Sequence, residues 1–155
     1  MMIKCAVFVI CAVLSVGNCA ETEVRRGFVG FSASLNEITS FPPGQTVKYP
    51  NVITNVGNHY DPLTGVFKAP RTGYYLFHIS ALTNYDSQFW FQLIHNGVSR
   101  ISIHGTGFWI MGANSVLLQA KAGDVFYVRT YQGTSDVWGD NVKPSTTFTG
   151  YLVGQ

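Results

Sequence analysis

The sequence predicts an all-β fold, an antiparallel sandwich of two sheets built from about ten short strands. Three observations predict it. Runs rich in Val, Ile, Tyr, Phe and Trp recur at short spacing, separated by turns that carry Gly, Pro, Asn or Asp. Within the runs, apolar residues alternate with a period of two, as a pleated strand with one buried face requires. Beyond the first twenty residues no segment shows a helical period.

Taken in order, residues 1–20 stand apart. Lys4 supplies a basic start, residues 5–16 are apolar and uncharged, and Gly17, Cys19 and Ala20 are small residues suited to cleavage. The segment is expected to be a secretory signal peptide, and it lacks the length and basic flank of a membrane span. All three cysteines, Cys5, Cys11 and Cys19, lie within it. Cleavage after Cys19 or Ala20 leaves a secreted domain with no disulfide, reliant on its core and on association. Cleavage after Gly17 leaves Cys19 as a lone thiol able to pair between chains. Residues 21–27 read as a short polar leader and 28–155 as a single domain, since a second core would have too little apolar surface to bury.

Residues 28–35 alternate as a strand with Phe31, Ala33 and Leu35 on one face. Phe41-Pro42-Pro43-Gly44 is a turn, followed by strands at 47–49 and 52–56. Gly65-Val66-Phe67 and residues 74–82 flank Pro70-Arg71-Thr72-Gly73, which suits a tight reversal, so the two are expected to form one hairpin. Residues 84–87 are a loop and 89–94 a strand. Asn96-Gly97 signals a two-residue hairpin turn, and residues 98–104 return from it. Gly105-Thr106-Gly107 is expected to open a loop, after which 113–119, 125–131 and 146–153 are the remaining strands.

Two of these strands are apolar on both faces. In 74–82, Tyr75, Phe77, Ile79 and Ala81 form a core face, yet the opposite face still carries Tyr74 and Leu76 beside His78 and Ser80. In the last strand, Phe148, Gly150 and Leu152 alternate with Thr147, Thr149, Tyr151 and Val153. A wet apolar patch of that kind calls for a covering surface. Burying about 1,000 Å² of it at roughly 25 cal/mol/Å² gives a term of order 25 kcal/mol before association costs are subtracted. Tyr74, Leu76, His78 and Tyr151 are therefore the expected oligomer interface.

The order Thr64-Gly65-x-Phe67-x-Ala69-Pro70-x-x-Gly73-x-Tyr75-x-Phe77 resembles the signature of the complement C1q globular-head domain. Further pieces follow in that family's order: Asn96-Gly97, then Ser115-Val116-Leu117-Leu118 with Gly123-Asp124 and Phe126-x-Val128, then Thr147-Phe148-Thr149-Gly150-x-Leu152. The likeness covers roughly residues 28–153. It implies a jelly roll related to the tumour-necrosis-factor fold, a homotrimer with one sheet facing its axis, and chain ends close together at its base. No Gly-X-Y repeat or heptad run is present, so the resemblance is to secreted head-only members and any assembly must form through the head.

Charge excludes little but points away from polyanions. Removal of Lys4 leaves nine Lys and Arg against eight Asp and Glu, with no like-charge run beyond Arg25-Arg26, so nucleic acid is not an expected partner. No Asn-x-Ser/Thr acceptor for N-glycosylation occurs. The histidines His59, His78, His95 and His104 are scattered, and no nucleophile elbow, phosphate loop or zinc signature is present, so the chain is not expected to be an enzyme. Asp136 and Asp140, with Asn141, lie in the glycine-bearing stretch 132–143. Either they ligate a hard cation, calcium being the one the resemblance implies for some relatives, or they belong to a solvated turn. No other cofactor is expected.

The same stretch is the candidate ligand site. Trp138, with Arg129 and Tyr131 before it and Asp136, Asp140 and Lys143 beside it, offers a ring face surrounded by hydrogen-bonding groups, which suits sugars or anionic surface patterns. Trp138 folded back on the core edge is the competing placement. The resemblance implies a secreted, extracellular, lectin-like pattern receptor of innate immunity that binds carbohydrate or microbial surfaces through a trimer. A matrix protein building a network and a cytokine-like receptor ligand are the alternatives.

Overall fold

The structure, a computed structural model, describes residues 27–155. The expected signal peptide and most of the leader lie outside the described residues. Twelve strands follow one another: β1 (Gly30–Ser34), β2 (Thr39–Phe41), β3 (Asn51–Val56), β4 (Tyr60–Asp61), β5 (Val66–Lys68), β6 (Gly73–Leu82), β7 (Asp86–His95), β8 (Val98–Phe108), β9 (Met111–Ala120), β10 (Val125–Thr130), β11 (Ser135–Val137) and β12 (Thr147–Gly154). They form two five-stranded sheets, β3-β1-β12-β6-β9 and β4-β5-β10-β7-β8, and a two-stranded pair, β11-β2. The last strand lies between the first and the sixth, the non-sequential antiparallel order of a jelly roll.

Alternation builds the core from both sheets. Tyr75, Phe77, Ile79 and Ala81 of β6 are fully buried, as are Phe89, Phe91 and Leu93 of β7. Aromatic rings fill the space between the layers. Phe31 stacks on Tyr60 at 4.7 Å and on Phe67 at 4.9 Å and meets Phe148 edge-on at 4.8 Å, while Phe77 stacks on Phe126 at 4.3 Å. Gly150 makes this stack fit, because a Cβ there would lie 2.6 Å from the Phe77 ring and 2.7 Å from Phe31. The buried Tyr60 hydroxyl accepts from the Tyr49 amide at 3.1 Å and donates to the Tyr49 carbonyl at 3.2 Å, and its burial pushes its pKa up to about 12.

The expected hairpin at 65–82 is not one. β5 pairs with β4 and β10, and β6 pairs with β12 and β9, so Pro70-Arg71-Thr72-Gly73 carries the chain from one sheet to the other. The Ala69 amide donates to the Asp124 carbonyl and the Gly123 amide to the Ala69 carbonyl, which ties the near end of the turn to the β10 side. Phe67 and Tyr75 then meet across the core at 5.9 Å instead of side by side in one sheet. Proline and glycine mark a reversal in either case, and the turn alone does not say which sheet receives the chain.

Three further differences have local causes. Gly105-Thr106-Gly107 stays in β8, pairing with β7 as far as Phe108, because Gly105 leaves room for the Phe89 ring, which a Cβ would meet at 2.6 Å. In residues 47–49, Val47 and Tyr49 are buried, but the stretch runs alongside β10 with one bridge, Thr46 to Arg129, and one bond from the Val47 amide to the Val128 carbonyl at 2.9 Å. The short strands β2, β4 and β11, two or three residues each, carry too few positions for alternation to reveal them. Asn96-Gly97 forms the expected tight turn, with φ of 48° and 84°, both in the left-handed region that such a turn needs.

Candidate functional site

The outward face of the β3-β1-β12-β6-β9 sheet is unlike a solvated surface. None of its five strands contains Asp, Glu, Lys or Arg. The strands of the opposite sheet, by contrast, carry Asp61, Lys68, Asp86, Arg100 and Arg129. The register lays the uncharged face out in rows. Leu76 stands opposite Tyr151 on one side and Leu117 on the other, and Tyr151 opposite Gly30. The Phe28 ring lies over Gly30 beside Tyr151. Tyr74 is 47% exposed, Tyr151 37%, Leu117 54% and Val153 58%.

The next row is polar. His78 stands opposite Thr149 and Ser115, with its Nδ1 2.8 Å from the Ser115 hydroxyl, and Thr149 pairs with Ser32 through a 3.0 Å bond between hydroxyls. The four residues expected at an interface, Tyr74, Leu76, His78 and Tyr151, thus share one face and lie on adjacent strands. Leu117, Val153 and Phe28 extend the same patch. Leu117 had a weak sequence signal, since its strand's outward set also contains Ala113, Ser115 and Gln119.

The six candidate ligand residues are distributed over four places. Arg129 and Tyr131 lie at the end of β10, on the outward side of the second sheet, where the Tyr131 amide donates to the Trp90 carbonyl and the two rings meet at 5.1 Å. Asp136 is on β11, opposite Ser40 of β2, and its carbonyl accepts from the Ser87 hydroxyl at 2.9 Å. Trp138 is half-buried and packs edge-on against Trp109 at 4.9 Å, its amide donating to the Leu82 carbonyl. Trp109 in turn joins Tyr85 and Phe108 in an exposed aromatic group. The Asp140 carboxylate accepts from the Val142 amide at 2.6 Å and the Lys143 amide at 3.2 Å, the geometry of an Asx turn.

Among the described residues no group of three or more His, Cys, Asp or Glu converges as a metal site. The one carboxylate–histidine pair among the described residues closes a turn. Asp124 accepts from the Asn96 amide nitrogen, the Lys121 backbone N–H and the His95 ring, each at 2.9 Å. Those bonds, Asn96 first, hold its pKa down to about 2. His95 also stacks on Phe126 at 4.3 Å, so this group fastens the β7–β8 turn to the start of β10.

Trp90 is the residue the sequence reading passed over, although its signal was available: alternation against the core residues Phe89 and Phe91 turns it outward.

The described residues form a two-sheet jelly roll with one uncharged, partly apolar outer face. The C1q domain family model matches residues 30–153, and the chain belongs to that family. It is 32% identical over 130 residues to complement C1q tumor necrosis factor-related protein 3 of Homo sapiens and, equally, of Mus musculus. The match covers 81% of this chain and 51% of each relative, so the chain spans about half the length of the curated relatives it matches. Among solved structures it is similar to the globular domain of zebrafish complement 1qA protein, with a TM-score of 0.67 at 18% identity, covering 81% of this chain and 97% of that one. Eiger TNF from S. frugiperda is similar with a TM-score of 0.65 at 15% identity, covering 84% and 95%. These last two likenesses concern the fold alone.

Proposed function

We propose that this chain is a secreted, non-enzymatic recognition module that assembles as a homotrimer and binds carbohydrate or microbial surface patterns in innate defence. The observation that carries the proposal is the β3-β1-β12-β6-β9 face, with Tyr74, Leu76, Leu117, Tyr151 and Val153 outward and no Asp, Glu, Lys or Arg in any of its strands. A second copy covering that face removes apolar surface from water without burying a formal charge. Cyclic closure with three copies satisfies each face once and leaves no open end.

Recognition falls to the surface left free. Arg129, Tyr131, Asp136, Trp138, Asp140 and Lys143 are the proposed ligand-contacting set, on the second sheet and the loops after β10. Three weak sites held on one rigid head meet a repetitive surface together and gain by effective concentration. Binding of the purified mature protein to a glycan array and to whole bacteria tests this, read beside its mass in solution. Trimers that bind are expected. No binding to any glycan or microbe, with assembly growing beyond trimers, overturns the recognition role in favour of a network-forming one.

A further inference from the structure

The second sheet has an outward strip whose chemistry differs from the rest of the molecule. On β7 the alternation that buries Phe89 and Phe91 turns Gln88, Trp90 and Gln92 outward. β8 sets Thr106, His104 and Ser102 opposite them in register. The Trp90 ring stands between Tyr131, at 5.1 Å, and His104, at 5.3 Å. The His104 ring nitrogen is 3.0 Å from the Thr106 hydroxyl, so this row joins the next.

That next row opens into a cleft of about 430 Å³ lined by Asp86, Ser87, Gln88, Thr106, Thr134 and Asp136. The Asp86 and Asp136 carboxylates have no hydrogen-bond or ion-pair partner among the described residues, nor has the Gln88 side-chain amide. The walls thus offer two acceptor-only groups, one amide that both donates and accepts, and threonine hydroxyls, with an indole one row away. A pyranose has the matching inventory: several hydroxyls that donate to carboxylates, and a C–H face that lies against a ring. The two unpaired negative charges disfavour sialylated, sulfated or phosphorylated sugars in the same place.

We propose that this cleft, together with the Trp90 ring, is a subsite for a neutral pyranose residue of a surface glycan. The inference rests on the recognition role proposed above and gives it a location centred on Trp90 and not on Trp138. The test uses the mature full chain on an array of mannose-, glucose- and galactose-terminated oligosaccharides beside sialylated and sulfated ones, with EDTA present so that only direct contacts are read. The parent is expected to bind at least one neutral glycan. Trp90→Ala, and separately the double variant Asp86→Asn with Asp136→Asn, are expected to lose at least tenfold in affinity, the double variant keeping its assembly state and melting temperature. Unchanged binding by both variants, or binding confined to anionic glycans, overturns the subsite while leaving recognition elsewhere on the head intact. A parent that binds no glycan overturns the recognition role itself and the subsite with it.

Discussion

Replacing Leu76 with Ala removes apolar surface from the middle of the uncharged face. Leu76 stands in register between Tyr151 and Leu117 and is only partly exposed in the single chain, so part of its packing belongs to the fold and the rest to the proposed assembly. Three carbons at about 0.8 kcal/mol each, with about a third of their surface left for a neighbour to cover, make the loss to assembly about 0.8 kcal/mol per subunit. A trimer repeats it three times, about 2.4 kcal/mol in all, or roughly 60-fold in the association constant. That constant scales as concentration squared, so the protein concentration at half-dissociation rises by the square root, on the order of 8-fold. Sedimentation velocity over a dilution series reads this shift directly, and circular dichroism checks the fold. A folded variant that dissociates at the same concentration as the parent refutes the assignment of this face to the interface.

Four other substitutions probe the core and its polar fastenings. Gly150→Ala forces a methyl against Phe77 and Phe31, and overpacking of this kind costs about 1–3 kcal/mol, so a clear drop in the denaturant midpoint is expected; an unchanged midpoint means the aromatic stack yields freely. Tyr60→Phe leaves the Tyr49 amide and carbonyl unpaired in the core at a cost of about 1–3 kcal/mol, whereas Tyr49→Phe, whose hydroxyl has no partner among the described residues, is expected to change stability far less. Equal losses in the two would contradict the hydrogen-bond assignment. Asp124 titrates at about 2 in the fold, below the usual carboxylate range, so as pH falls the unfolded chain takes up the proton first. Its contribution to stability is complete above about pH 4 and is lost towards pH 2. Asp124→Asn is expected to flatten the stability curve in that window only, and an acid limb parallel to the parent's would count against it.

The long strands were legible in the sequence because a half-buried strand writes its burial into alternate residues. Tyr75, Phe77, Ile79 and Ala81 all reach the core, and Tyr74 and Leu76 on the other side share the uncharged face with Tyr151. What alternation does not encode is which sheet a strand joins. Pro70 to Gly73 therefore read as a hairpin when it is a crossover, and the glycines of β8 read as a loop when one of them accommodates Phe89. The candidate site was half legible for a related reason. Composition picked out Trp138 in a polar stretch, but its ring contact with Trp109 depends on strand ends far apart in sequence. Alternation turns Trp90 outward between two core phenylalanines, but its ring partners Tyr131 and His104 come from other strands, which the sequence pattern does not bring together.

The mass of the mature protein in solution, measured by sedimentation equilibrium from micromolar to nanomolar concentration at neutral pH, bears most directly on the central claim. Three times the subunit mass, holding well into dilution, is the expected result. A stable, folded monomer across that range would mean that the Leu76–Tyr151–Leu117 row is content in water, and the account of this face as a buried interface would be wrong.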